Sequence, residues 1–224
     1  MRQLQLAIDI DAVILDMDGL MLDTEPVYKC AWQEAALQFG FLLDDSFYLT
    51  PIGRTNASAE VALAERFGVA FPLASFRERW ADLWREEAEA SGIPLKPGVM
   101  ELLEYLASQD LAVAIATSSD RKYAAFSLKA AGLDAHMFAH VVTGEQVENG
   151  KPAPDIYLET ARRLGVSPAR TLAIEDSDAG ILSASGAGMI SVMVPDLKLP
   201  SPLAREKAFR VVTSLHEVPP LIRG

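Results

Sequence analysis

The sequence predicts an α/β protein built on a doubly wound parallel sheet, with an all-helical domain inserted after the first strand. Three observations predict this. Apolar runs too short for helices recur along the chain. Segments with helical spacing lie between them, as right-handed βαβ units require. Residues 23–94 break the alternation, with helical patterns and no strand run. At 224 residues, and about 150 per domain, the chain has room for one to two domains.

The first strand is Ala12-Val13-Ile14-Leu15, an apolar run bounded by aspartates. Further strands are expected over 111–116, 139–143, 171–174 and 189–194, with a sixth over 211–213 at the edge. Helices are expected over 97–108, where Val99, Leu102, Leu103 and Leu106 share a face, and over 120–131, 154–164 and 178–187. The last is rich in small residues, as a helix packed closely on a sheet would be. The inserted segment shows helical patterns over 27–39, 57–67 and 76–90, punctuated by Gly40, Pro51, Gly53, Gly68 and Pro72. Residues 91–98 read as the return linker. The boundaries so drawn are 1–22 with 95–224 for the α/β domain and 23–94 for the helical one.

Lys and Arg number 20 against 31 Asp and Glu, a net charge of −11. Such a chain is a poor binder of nucleic acid or of an anionic membrane surface, so neither is expected as a partner. An anionic substrate would need local positive charge or a metal. The single cysteine, Cys30, forbids an internal disulfide and fits a reducing compartment. With no apolar stretch long enough to span a membrane, a cytoplasmic protein is the default expectation, and separately a monomer is expected.

In a parallel α/β sheet, ligands bind beyond the carboxyl ends of the strands. Asp16-Met17-Asp18-Gly19 follows the first strand and Thr117-Ser118-Ser119-Asp120 the second. Thr143-Gly144, and soon Lys151-Pro152, follow the third, and Glu175-Asp176-Ser177-Asp178 the fourth. One carboxylate at a strand end is most simply a helix cap. Four polar clusters on four strand ends are a site. Asp16 and Asp176 should lie on adjacent strands, and close carboxylates cannot all ionise without a cation. Oxygen ligands with no nearby His or Cys select Mg²⁺. Lys151 adds positive charge, Thr117 a hydroxyl, and the amides of Ser118 and Ser119 the opening of a helix. Together they suit phosphoryl transfer through an aspartyl phosphate, with Asp18 as general acid and then base.

The run Asp16 to Glu25, then Thr117-Ser118, Lys151-Pro152-Ala153-Pro154-Asp155 and Glu175-Asp176-Ser177-Asp178-Ala179-Gly180, resembles the haloacid dehalogenase superfamily. The resemblance covers nearly the whole chain. It is to the branch of sugar-phosphate phosphatases and β-phosphoglucomutases, a Rossmann-like core with a helical cap after the first strand. It implies Asp16 as nucleophile and Mg²⁺ ligand, and Asp18 as acid/base whose carbonyl also meets the metal. It implies Thr117, Ser118 and Lys151 as phosphate-binding, Asp176 as a further metal ligand, and Glu175 close behind it. A carboxylate at Asp18 disfavours true dehalogenation, because the dehalogenases lack one there. The mutases usually carry a histidine where Tyr28 stands and basic residues where Ile52 and Asn56 stand. The resemblance therefore points to hydrolysis, with the mutase as alternative. Arg54, Asn56 and Arg79 are the cap candidates for substrate, and the loop 51–56 is expected to face the site on closure.

Several features take ordinary readings. His136 and His140 have zinc-like spacing but no further ligand nearby. The run from Gly144 to Lys151 fails as a phosphate loop because Pro152 replaces Ser or Thr. Cys30 reads as a small buried hydrophobe, Trp32 as core, and Asp23 as a structural residue of the hinge. The expected substrate is a small phosphorylated metabolite. A phospho-aspartate receiver is the competing class, disfavoured by Asp18 and by the helical insert.

Overall fold

A computed structural model describes residues 9–48 and 56–222, and the side chains of all of these except 46 and 56–60. Its strands are β1 (Ala12–Leu15), β2 (Ala112–Thr117), β3 (His140–Thr143), β4 (Thr171–Glu175), β5 (Ile190–Met193) and β6 (Arg210–Val211). They form one sheet in the order β3-β2-β1-β4-β5-β6, and every pairing is parallel. The first strand of the chain thus lies at the centre, and every residue of β1 is buried. A strand covered on both faces must be apolar throughout, which is why it reads as an unbroken run.

The helices are α1 (Glu25–Gln38), α2 (Asp45–Tyr48), α3 (Asn56–Phe67), α4 (Leu73–Ser91), α5 (Val99–Ser108), α6 (Arg121–Ala130), α7 (Asp155–Leu164), α8 (Asp178–Gly186) and α9 (Pro202–Lys207). Helix α5 buries Val99, Leu102, Leu103 and Leu106, the stripe its spacing predicts. Asp120 caps α6 by accepting from the Tyr123 amide, and Ser177 caps α8 from its own side chain. Two strands run one residue further than expected. Thr117 pairs with Thr143 and Glu175 with Met193, so polar residues at the carboxyl edge still sit in the ladder. The single-turn α2 and the six-residue α9 are too short for periodicity to reveal.

The chain divides into two compact units, Met1–Asp23 with Pro94–Gly224, and Thr24–Ile93. The first holds the sheet. The second is helical around Ala35, Ala36, Leu43, Tyr48, Leu63, Phe71 and Phe76. Its aromatic rings pack at short range: Phe71 to Phe76 at 5.0 Å between centroids, and Trp32 edge-on to Phe76 at 5.4 Å. Trp32 is therefore half-buried and packs against the core of this unit. Cys30 is not buried. Helix α1 buries Val27, Ala31, Ala35 and Ala36, and Cys30 falls beside that stripe, exposed to solvent. No helix among the described residues is long and apolar enough to cross a membrane.

Phe76→Ala should lower the stability of the helical unit by about 3–5 kcal/mol, the usual cost of truncating a buried phenylalanine. The check is the urea midpoint by tryptophan emission. All three tryptophans, Trp32, Trp80 and Trp84, belong to this unit, so the signal reports on it alone.

Candidate active site

The strand order reverses on either side of β1, and the crevice at such a reversal is where open α/β sheets bind ligands. Leu15 is in register with Ile115 of β2 and Ile174 of β4. The Asp16 amide donates to the Ile174 carbonyl at 3.0 Å, so Asp16 lies beside Glu175, the last rung of β4, at the carboxyl edge of the sheet.

Lys151 enters from the segment between β3 and α7. Its Nζ donates to Asp16 Oδ1 at 2.5 Å, to Glu175 Oε1 at 2.5 Å and to the Ala116 carbonyl at 2.9 Å. These bonds use all three ammonium protons. The Tyr157 ring lies 5.2 Å from the ammonium, and its hydroxyl donates to Glu175 Oε1 at 2.7 Å. Ser177 Oγ donates to Glu175 Oε2 at 3.1 Å. Glu175 is fully buried, yet both its oxygens are bonded. At Gly180 a side chain would collide with that carboxyl, so α8 packs against it only because the position is glycine. The delivering loop is tied down as well: Ser183 Oγ donates to the Ala153 carbonyl at 2.5 Å.

Asp16, Glu175 and Asp176 offer oxygens that all lie within 4.8 Å of one another. One ammonium cannot balance three carboxylates. Burial raises the Asp16 carboxyl to about 8, with Lys151 opposing the shift and Glu175 and Asp18 adding to it. Asp176 is raised well above its ordinary value by burial and then by Asp16 and Glu175. The cluster is short of positive charge. Gly19, at φ +86°, backs directly onto Asp176, where a Cβ would lie 2.5 Å from Oδ2.

Asp18 meets a different environment. Its Oδ2 accepts from Ser119 Oγ at 2.9 Å and its Oδ1 from the Tyr123 hydroxyl at 3.0 Å. Burial raises its pKa, while bonds from Ser119, Tyr123 and Thr117 and the Lys151 charge oppose the rise. Thr117 is buried, and its Oγ1 accepts from the Ser119 amide at 3.1 Å. Of the two amides expected to form a cradle, that of Ser119 is therefore engaged within its own loop. The Ser118 side chain is exposed beside it.

The structure thus brings together Asp16, Glu175, Asp176 and Lys151, and beside them Asp18, Thr117 and Ser118. Arg79 lies on α4, where its Nε donates to Gln38 Oε1 at 2.8 Å and its Nη1 pairs with Glu86 at 3.1 Å. Arg54 and the loop 51–55 lie outside the described residues, as does the Asn56 side chain at the start of α3. Asp23 pairs with Lys96 at 3.4 Å, and Lys96 with Asp196 at 2.6 Å. His140 Nε2 bonds the Arg163 carbonyl at 3.1 Å, a structural contact. Sequence reasoning named Ser119 for its amide and missed its hydroxyl, and it missed Tyr123, Tyr157 and Asp196 altogether. Asp196 had a signal, since it follows the fifth strand as Asp176 follows the fourth.

Comparisons with known proteins agree with this geometry. The haloacid dehalogenase-like hydrolase family matches residues 10–188. The chain is 34% identical over 182 residues to the Phosphorylated carbohydrates phosphatase of Thermotoga maritima, covering 80% of this chain and 82% of that one. It is 31% identical to (DL)-glycerol-3-phosphatase 2 of Arabidopsis thaliana, covering 94% of this chain and 90% of that one. Among solved structures it is similar to a Thermotoga maritima protein provisionally named a beta-phosphoglucomutase. That match has a TM-score of 0.82 and 30% identity, and covers 92% of this chain and 96% of the other. The acid cluster, its buried lysine and these likenesses lead to one statement: the chain is an enzyme of the haloacid dehalogenase-like hydrolase family.

Proposed function

We propose that this enzyme is a Mg²⁺-dependent phosphatase of small phosphorylated metabolites, sugar or polyol phosphates, acting through a phosphoaspartate on Asp16. The observation that carries the reading is Lys151 locked against Asp16 inside a carboxylate cluster too negative to stand alone. The donor set fits Mg²⁺, which takes hard oxygen ligands. Glu175 is bonded out by Lys151, Tyr157 and Ser177, so Asp16 and Asp176 would hold the ion, joined by the Asp18 carbonyl. Bound there, Mg²⁺ would offset the crowded negative charge and polarise a phosphoryl oxygen.

The chain's own groups supply the remaining steps. The Lys151 charge attracts the phosphoryl group toward Asp16, and the Thr117 hydroxyl and the Ser118 amide hold its oxygens there. An Asp16 oxygen attacks phosphorus, and the bond from phosphorus to the alcohol oxygen breaks. Its electron pair leaves on that oxygen, which takes a proton from Asp18. Asp18 then accepts a proton from water, whose oxygen attacks the phosphoaspartate. The phosphorus–Asp16 bond breaks, and inorganic phosphate and a free carboxylate result. A mutase would also need fixed cations for a second phosphate. Arg79 is already bonded to Gln38 and Glu86, which favours hydrolysis. The relatives named for phosphorylated carbohydrates and for glycerol 3-phosphate support the substrate class.

Asp16→Asn should lower phosphate release from a panel of sugar and polyol phosphates by more than about 10³-fold while circular dichroism stays native. EDTA should abolish release by the parent enzyme and Mg²⁺ restore it. Near-native turnover by the variant would remove the mechanism, and isomerised sugar phosphate without free phosphate would indicate a mutase.

The raised Asp16 carboxyl also makes stability depend on pH. Between its ordinary value of 3.8 and about 8 the native state holds more protons than the unfolded chain. Stability of the metal-free protein therefore falls as pH rises through that window. Calorimetry in EDTA should show the falling Tm. Added Mg²⁺ should raise Tm more at pH 8 than at pH 5, by on the order of 5 °C. An equal shift at both pH values would separate the ion from these carboxylates.

A further inference from the structure

We propose that Tyr123 and Ser119 are positioning residues that clamp the Asp18 carboxylate in line for proton transfer to the departing alcohol. The inference rests on the reading of Asp18 as general acid given above. The two hydroxyls take one carboxylate oxygen each, at 3.0 Å and 2.9 Å. Bonds to both oxygens fix the carboxylate plane as well as its direction, which a single bond would leave free to rotate.

The clamp is itself rigid. Ser119 is held at both backbone ends: its amide donates to Thr117 Oγ1 at 3.1 Å, and its carbonyl accepts from the Gly144 amide at 3.0 Å. The Ser118 carbonyl fills the space where a side chain at position 144 would go, so this close approach requires glycine. Tyr123 stands in the first turn of α6, where the Asp120 cap accepts from its amide at 2.9 Å. Its phenol reaches Asp18 on a stiff ring with few rotatable bonds. The nucleophile is held differently, by Lys151, so the two aspartates have separate supports.

A positioned acid matters only when the leaving group needs a proton. Benzyl alcohol is a far poorer leaving group than p-nitrophenol, which departs as its stable anion, and the two phosphate esters are similar in size. The comparison uses kcat/KM, which counts steps only through departure of the alcohol. Tyr123→Phe should lower kcat/KM about tenfold on benzyl phosphate and less than twofold on p-nitrophenyl phosphate, a part of the 10²–10⁴-fold that a general acid contributes. Ser119→Ala keeps both backbone bonds and should show the same split. Asp18→Asn, which removes the acid, should show a larger one. Thermal melts of each variant establish that it is folded, and either hydroxyl variant alone decides. Equal losses on both esters, or no loss on either, would overturn the clamp. If the parent enzyme with Mg²⁺ releases phosphate from neither ester nor from any sugar or polyol phosphate, the phosphatase reading fails and the clamp falls with it.

Discussion

The ammonium of Lys151, buried between Asp16 and Glu175, is the contact on which the rest of this site depends. Its side chain is only 6% exposed, and that of Glu175 is not exposed at all. Leaving either charge without its partner would cost about 3–5 kcal/mol. Neighbouring features follow from keeping the pair in place. Tyr157 is spent on the second lone pair of Glu175 Oε1, and Ser177 on Oε2. Gly180 leaves room for the carboxyl, and Ser183 ties down the loop that delivers the lysine. Even so, the balance stays negative, because Asp16 and Asp176 share the space with Glu175. The cluster therefore carries a charge penalty that its own ammonium does not remove.

The sheet explains why these residues meet at all. They come from sequence positions as distant as 16, 117, 151 and 176. Parallel pairing of β1 with β2 and β4 puts the ends of all three strands on one edge, and the reversal of order at β1 leaves that edge open. The last rungs of β2 and β4 are themselves polar, Thr117 and Glu175. Being part of the ladder, they carry its rigidity directly into the site, whereas loop residues would have to be fixed by further bonds.

The same physics decided what the sequence made legible. Strands buried on both faces are continuous apolar runs, and all six could be read within a residue or two of their ends. Two carboxyl ends run past the apolar run, at Thr117 and Glu175, where polarity reads as the start of a loop. Asp16, Lys151 and Asp176 were legible because position after a strand is a local property. The Ser119 hydroxyl, Tyr123 and Tyr157 were not, because their role is a hydrogen bond to a residue far along the chain, and Tyr157 looks like any core residue of an amphipathic helix. Cys30 shows the opposite limit: helical spacing marks an apolar stripe but not its edge.

Asp16 and Asp18 are two residues apart and chemically alike, yet their surroundings differ in the way the two proposed roles require. Asp16 faces a fixed ammonium and two further carboxylates, an arrangement that holds it as a charged, directed oxygen once a cation balances the cluster. Asp18 faces neutral hydroxyls that both donate and accept, so its partners remain satisfied whether the carboxyl holds a proton or not. A nucleophile must stay ionised, whereas an acid/base must lose a proton and then regain it within one cycle. Different neighbours push such paired carboxyl groups into different roles. With an ammonium on one side of Met17 and hydroxyls on the other, one short turn after β1 offers surroundings suited to both proposed roles.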